Sequence, residues 1–499
     1  LSETARTQQH FVRVAKDILT YGFLSALSQM SGLILLPLLT RVFSVDEYGA
    51  VDVVATLVSL LAAFTQFALP SAIARYFGQA PDEQQRRQLF STVLVFVAGL
   101  GLALVLLLGA AAAPLAGLLL GDAVHADYIR LGCGIAWIQS LAAIPYMALR
   151  MERRIVAFNL LQLLATTGYI VLALYLVLAR GSGVRGVFIG QLVAGAGAFV
   201  IALALTRRHL TARLSLPSLR QALGFSAPML PGRLGGWLNA QTDRLLLLLF
   251  LGLPGVALFG VTARIASVVQ FLLLVFRQGW QPYAMMLLDD SGRNDVYCRM
   301  LNYYAALFAS LGLALTAVSP ELFALLVPED YRGGYVVLPW LVGAAIFHHS
   351  ASLTNLGVLV SARTGVVSVA SAIGLIGNVV IASAMIPSFG IAGAAIGAFV
   401  SELAFTTILW RASVARSDVR FDIRVVLIVL ATYVLGAIAL LLASKALVGL
   451  PSAGLRAALL GVCLLSIART ALDREFVELL AGVLRSLRSA DGDEGPSHR

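Results

Sequence analysis

Lysine is almost absent from this chain of 499 residues: Lys16 and Lys445 are the only two. Neither follows a glycine, so no G-x-x-x-x-G-K-[ST] phosphate loop exists and nucleotide hydrolysis by that route is excluded. Charge of either sign is scarce, with Asp, Glu, Lys and Arg making up 12 % of the residues against 59 % hydrophobic ones. Three cysteines, Cys133, Cys298 and Cys463, lie in or beside apolar segments without metal or redox spacing and read as small core residues. The six histidines form no H-E-x-x-H pair, and no G-x-S-x-G elbow occurs. Polar stretches between apolar ones do not exceed about 20 residues, which leaves no room for an aqueous catalytic domain. The chain therefore reads as a non-enzyme with no cofactor.

What is present in quantity is apolar sequence, with a mean hydropathy of +0.88. A soluble globule of ordinary composition does not look like this. Apolar runs of about 20 residues recur along nearly the whole length, and in lipid such a run satisfies its own backbone only as a helix. A β-barrel would show alternating segments of about ten instead. The expected fold class is an all-α integral membrane protein with 14 transmembrane helices, placed near 17–40, 49–72, 89–112, 129–149, 156–179, 185–206, 221–243, 254–279, 300–327, 337–359, 365–387, 391–411, 424–445 and 454–470. The first span is preceded by a polar arm with Arg6, Arg13 and Lys16, and is long enough to be retained rather than cleaved.

The net charge of +10 is spread through short loops and not gathered on one soluble face, so nucleic acid is not an expected partner. It reports orientation. Lys and Arg number roughly 25 on the face that carries both termini and roughly 8 on the other, which puts both termini in the cytoplasm. Beyond the last span, Leu472, Phe476, Leu479, Leu480, Val483 and Leu487 share a helical face, as in an interfacial amphipathic helix, and a polar tail follows.

Charge in the wrong place marks residues 227–282. Arg233, Asp243, Arg244, Arg264 and Arg277 all fall at or within bilayer depth, where a charge costs about 2.5 to 3.5 kcal/mol on insertion scales. After the Pro228 and Pro231 break, Arg233 and Arg244 lie about 20° apart on one helix face with Gly236. Arg264, Ser267 and Gln278 fall within about 60° of one another on the next helix. Two outcomes are open: the faces line a wet cavity for an anionic headgroup, or each arginine snorkels to the interface.

An internal repeat organises the rest. Tyr48-Gly49 opens the second span and Phe259-Gly260 the eighth, with Pro70 and Pro282 near their ends. Six spans separate the copies, an even number, so two six-helix lobes in parallel pseudo-twofold arrangement are expected, with a substrate site between them. The expected divisions are 1–215, 216–420, an extra helix pair over 421–470, and the amphipathic helix with tail over 471–499. In the first lobe, Tyr21, Ser25, Ser28 and Gly32 form one polar stripe, and Asp52, Thr56, Ser59 and Gln66 form another. Interhelical hydroxyl bonding explains such stripes as well as a cavity does. His348 and His349 in the tenth span and Glu402 in the twelfth are candidates for ion coupling, with H+ or Na+ as the ion, against the alternative of hydrogen-bonded bundle residues.

The stretch YGFLSALSQMSGLILLPLLTRVFSVDEYG and its continuation to LPSAIARYF resembles the opening of bacterial polysaccharide flippases, the oligosaccharide-lipid branch of the superfamily that also holds the multidrug and toxin extruders. FSAPMLPGRLGGWLNAQTDRLLLLLFLG and FGVTARIASVVQ resemble that branch's second half. The resemblance implies two lobes around a central cavity, with the extra helix pair offering an apolar groove to an isoprenoid tail. It implies translocation of undecaprenyl-(pyro)phosphate-linked oligosaccharide from the cytoplasmic to the periplasmic leaflet by alternating access, beside a polysaccharide polymerase and glycosyltransferases. Carried onto this chain, the cavity charges are Arg41, Arg75, Arg233, Arg244, Arg264, Arg277, Asp52 and Asp243, and a sugar chain would meet Ser25, Gln29, Trp237 and Asn239. Guanidinium groups suit a pyrophosphate because they bind it through paired hydrogen bonds and stay charged at any working pH. A cation-coupled multidrug exporter of the same superfamily would be expected to expose acids rather than arginines. An O-antigen polymerase or ligase would be expected to carry a large periplasmic loop.

Overall fold

The computed structural model describes residues 31–79, 82–287, 292–360, 365–415, 423–446 and 450–471, and among these every regular element is helical. In chain order the α-helices are α1 (Ser31–Val42), α2 (Val45–Gln66), α3 (Leu69–Tyr76), α4 (Glu83–Ala110), α5 (Ala112–Leu120), α6 (Ala126–Met151), α7 (Ile155–Leu174), α8 (Gly183–Leu205) and α9 (Leu216–Ser226). There follow α10 (Leu230–Met286), α11 (Arg293–Ala317), α12 (Ser319–Leu326), α13 (Glu329–Arg332), α14 (Leu338–Thr354), α15 (Leu356–Val360), α16 (Gly365–Phe389), α17 (Ile391–Val414), α18 (Ile423–Ala446) and α19 (Leu450–Ala471). Tyr21, Ser25, Ser28, Gln29 and the amphipathic segment beyond Ala471 lie outside the described residues.

Among the described residues twelve helical stretches are long and apolar enough to cross a membrane, and the protein is a multi-pass membrane protein. Fourteen spans were expected, and the difference arises at two places. The first expected span is described only over α1. The seventh and eighth run together as the 71-residue stretch Leu216–Met286, which is broken by non-helical backbone at Gly252 (φ 66°, ψ −159°). That conformation is essentially closed to residues with a Cβ, so glycine is what lets the chain turn there.

Sequence sets the other breaks. Ser44 caps α2 by accepting a hydrogen bond from the Glu47 amide, and the Glu47 carboxylate returns to the Ser44 amide at 2.9 Å, a complete capping box. The second expected span, 49–72, does not run unbroken. Pro70 cannot donate to the helix ladder, and Phe67 and Ala68 both take left-handed backbone (φ 49° and 55°), so α2 ends and α3 begins afresh.

The chain divides into two compact units. The first holds 1–271, 323–341 and 367–401, and the second holds 272–322, 342–366 and 402–499. In the first, α6 packs against α2, α4 and α8, and α7 lies along α8. Two-thirds of the apolar stretch of α2 is buried (67 %) against 17 % of that of α4, so α2 is an inner helix and α4 a peripheral one. A core of Leu69, Ile73, Phe77, Phe90, Val97 and Ile144 anchors α3 to this group. In the second unit α11 packs against α18 and α19. There the Arg456 side chain, 4 % exposed, donates to the Ala317 carbonyl at 2.8 Å and pairs with Glu321.

Outside the spans, Glu152 gathers Arg208, His209 and Arg154 at the end of α6. His209 is buried between Phe77 and Phe90 and is hydrogen-bonded to Glu152. Burial alone would raise the Glu152 carboxyl, but hydrogen bonds from Arg208 and His209 outweigh it and hold the group below the ordinary carboxylate value.

Candidate functional site

The capping box fixes where α2 starts, and one turn later Tyr48 and Asp52 share a face at i, i+4. That face continues through Thr56 and Ser59. In the first unit it meets α10. Arg264 donates to both the Tyr48 hydroxyl and the Asp52 carboxylate, and its guanidinium lies 4.9 Å from the centre of the Tyr48 ring. Asp52 is 5 % exposed and the Arg264 side chain 28 %. The second carboxylate oxygen of Asp52 is buried without a hydrogen-bond partner. Close approach requires glycine twice: a Cβ at Gly260 would collide with the Asp52 carboxylate, and one at Gly49 with the Leu253 carbonyl.

Tyr331, on α13, closes the end of this cluster. Its ring meets that of Tyr48 edge-on at 5.7 Å, and its hydroxyl is within 2.9 Å of the Phe43 carbonyl and 2.8 Å of the Ser44 carbonyl. Further along α10, Trp237 Nε1 donates to Ser59 Oγ at 2.8 Å and Arg233 Nη2 to Ser71 Oγ at 2.9 Å. The polar stripe of α2 and α3 thus meets both segments of α10: Asp52 pairs with Arg264 after the Gly252 break, and Ser59 and Ser71 meet Trp237 and Arg233 before it.

The remaining candidates are placed separately. Arg244, half-buried, donates to Gln241 at 3.1 Å, so the shared face with Arg233 does not bring the two to common partners. Asp243 accepts from Asn378 of α16 at 2.9 Å, and Asn239 is half-buried. Arg41 is exposed and donates to the Pro37 and Leu325 carbonyls, both at 3.2 Å. Arg75 is exposed with its guanidinium 4.7 Å from the Phe225 ring centre. Ser25 and Gln29 lie outside the described residues.

The second unit holds a different group. His348 Nδ1 is 3.1 Å from Glu402 Oε2, so the tenth and twelfth spans bring these two candidates together. His349 meets the His348 ring edge-on at 5.4 Å, and its Nδ1 is buried without a partner. Arg277 is half-buried on α10. The same unit contains an apolar cavity of about 110 Å³, lined by α11, α14, α17 and α18 through residues such as Tyr304, Phe347, Trp410, Leu427 and Tyr433. The thirteenth expected span contributes to it, but α19 does not appear in its lining.

Sequence reading singled out Asp52 and Arg264 without pairing them, because 212 residues separate them and no local pattern links such positions. Tyr48 entered only as a marker of the repeat, although its i, i+4 relation to Asp52 was visible. Ser71, Tyr331 and Asn378 were missed. Asn378 carried a signal, as an amide alone within an apolar span.

The model of a family described as polysaccharide biosynthesis protein matches residues 14–287. Among solved structures, the lipid II flippase MurJ in an inward closed conformation aligns with a TM-score of 0.71 at 13 % identity, over 90 % of this chain and 98 % of its own. A multidrug resistance MATE family transporter of the MOP superfamily, inward-facing, aligns at 0.66 and 17 % identity, over 78 % of this chain and 94 % of its own. The Vibrio cholerae MATE transporter VcmN gives 0.54 and 18 %, over 81 % and 97 %. No curated protein matches the sequence. At these identities the likeness is one of fold, a transporter fold of the MurJ and MATE type.

Proposed function

The chain belongs to the polysaccharide biosynthesis protein family, and from that premise we propose that it is a flippase for undecaprenyl-(pyro)phosphate-linked oligosaccharide, working by alternating access in a bacterial inner membrane with both termini cytoplasmic. The observation that carries the reading is the Asp52–Arg264 pair on facing polar helices. A guanidinium at that depth is costly without an anion, and Asp52 supplies one while no cargo is bound. A phosphate headgroup displaces the carboxylate: one anion is exchanged for another, the guanidinium is never left alone, and its planar fork suits phosphate oxygens. Arg233 adds a second cation, and Trp237 gives a sugar a flat apolar surface with a polar edge. The apolar cavity of the second unit takes part of an isoprenoid chain, and the MurJ-type fold supports a lipid-linked cargo. Polysaccharide polymerase and glycosyltransferases are the partners on either side of such a step.

A cation-coupled drug exporter is the second reading, supported by the MATE-type fold. The two separate by charge, since a cationic drug needs an available acid and Asp52 is already held by arginine. The test is complementation of a deletion strain. Arg264→Ala and Arg233→Ala, at unchanged expression, are expected to abolish surface polysaccharide and to accumulate lipid-linked intermediates. Wild-type glycan in both variants would remove the cationic site, and loss of drug resistance with normal glycan would favour the exporter.

A further inference from the structure

Of the four residues of α13, Glu329, Asp330 and Arg332 are exposed and Tyr331 is buried, at 1 % exposure. A short exposed turn that sends one aromatic side chain inward works as a peg. The hydroxyl of the peg is shared between the Phe43 and Ser44 carbonyls at the start of α2, and Arg41 reaches from α1 to the Leu325 carbonyl at 3.2 Å. Beyond α13, Thr262 of α10 donates to the Gly334 carbonyl at 3.1 Å. The stretch 325–334 is thus fastened to both sides of the Arg264 site. Each fastening is a hydrogen bond from a side chain to a carbonyl, which water replaces at small net cost.

The α13 end of the site is shut and the far end is open. Near α13, Gly49 and Gly260 let α2 and α10 approach closely enough that a Cβ on either would collide with the other helix. Toward Arg233, a Cβ at Gly232, Gly235 or Gly236 would meet nothing within 4 Å among the described residues, and Arg233 itself is exposed. Tyr48 touches both the peg and the guanidinium: its ring meets Tyr331 edge-on at 5.7 Å, while Arg264 lies over its face and donates to its hydroxyl. In the shut arrangement Arg264 is therefore engaged by Tyr48 and Asp52, and an incoming phosphate must break those contacts. A ligand shifts an equilibrium toward the state that competes with it least.

We infer, on the basis of the headgroup reading above, that Tyr331 latches this end of the site and that an anionic headgroup arriving at Arg264 releases the latch through Tyr48. In the orientation proposed above this is the periplasmic end, so cargo loaded from the cytoplasm opens the exit it leaves by. Linkage makes the coupling reciprocal: weakening the latch tightens headgroup binding. A residue that only supported the fold would do the opposite when altered.

Calorimetry and hydrogen exchange on the purified full-length chain in lipid nanodiscs test the coupling, with farnesyl pyrophosphate as the probe and farnesol as the headgroup-free control. Tyr331→Phe keeps the ring and removes the hydroxyl, and is expected to bind the pyrophosphate about two- to tenfold more tightly than wild type, the range one lost hydrogen bond gives. Thr262→Val, which removes the donor to Gly334, is expected to act in the same direction. In the wild type the pyrophosphate, and not farnesol, is expected to speed amide exchange over 327–337 about threefold or more, with exchange in α6 unchanged. Unchanged or weaker pyrophosphate binding by a variant that keeps wild-type exchange in α6 would overturn the latch and leave the flippase reading standing. So would pyrophosphate binding to the wild type without faster exchange over 327–337. If the pyrophosphate binds the wild type no better than farnesol, the headgroup reading fails and the release of the latch with it.

Discussion

Unequal exposure makes the Asp52–Arg264 pair a quantitative test of the site. Replacing Arg264 by Gln strands a carboxylate that is 5 % exposed and already has one oxygen without a partner. Removing one member of a buried pair costs about 3 to 5 kcal/mol. Replacing Asp52 by Asn leaves a guanidinium that is 28 % exposed, stays 4.9 Å from the Tyr48 ring centre, and can recruit water. That loss is about 1.5 to 3 kcal/mol, the range for a hydrogen bond to a charged group. In the double variant no charge remains, so its cost is near that of the milder single change and the coupling energy is about 3 to 5 kcal/mol, the cost of the harsher one. The assay is denaturation of the purified protein in mixed micelles with increasing SDS, all four proteins under one condition. Two results refute the reasoning: Asp52→Asn costing more than Arg264→Gln, or a coupling below about 0.5 kcal/mol, the level of independent sites.

Three further outcomes follow. Gly252→Ala places a Cβ on backbone at φ 66°, ψ −159°, and is expected to destabilise by about 1 to 3 kcal/mol, read as a lower thermal midpoint at fixed scan rate; an unchanged midpoint contradicts that backbone. Glu152 has a carboxyl held below its ordinary value, so its contribution to stability is full above the unfolded value of about 4.3 and is lost as pH falls through the lower folded value. Glu152→Gln should therefore lower the midpoint at neutral pH, with the gap to wild type closing in acid; a gap constant from pH 7 to pH 3 would exclude this linkage. Reporter fusions after Arg213 and near Glu329 are expected to lie in the cytoplasm and periplasm respectively, and the reverse pattern would overturn the assigned orientation.

The helical membrane class and the polar stripe were legible because both follow from local periodicity. Asp52, Thr56 and Ser59 recur at helical spacing, and a charge in an apolar run stands out against its neighbours. Pairings were not legible, since Asp52 and Arg264, Ser71 and Arg233, or Asn378 and Asp243 meet only after distant helices pack. The arginines also differ more than their shared chemistry suggested. Arg264 is held by an acid, Arg233 by a hydroxyl, Arg244 by its own helix and Arg75 by an aromatic ring. Single-helix phase gives the direction of a side chain but not its partner. The break at Phe67 and Ala68 was half visible, since Pro70 announces a boundary but not two left-handed residues before it.

Those two residues carry a consequence for how the helices address each other. Ser59 and Ser71 are twelve positions apart, which in an unbroken helix would turn them about 120° away from each other. Trp237 and Arg233, which they meet, are four positions apart and project from one side of α10. The joint before Pro70 therefore acts as a phase reset, rewinding the second segment until both serines look the same way. Smoothing the backbone there would misalign one of the two contacts even with every polar side chain left in place.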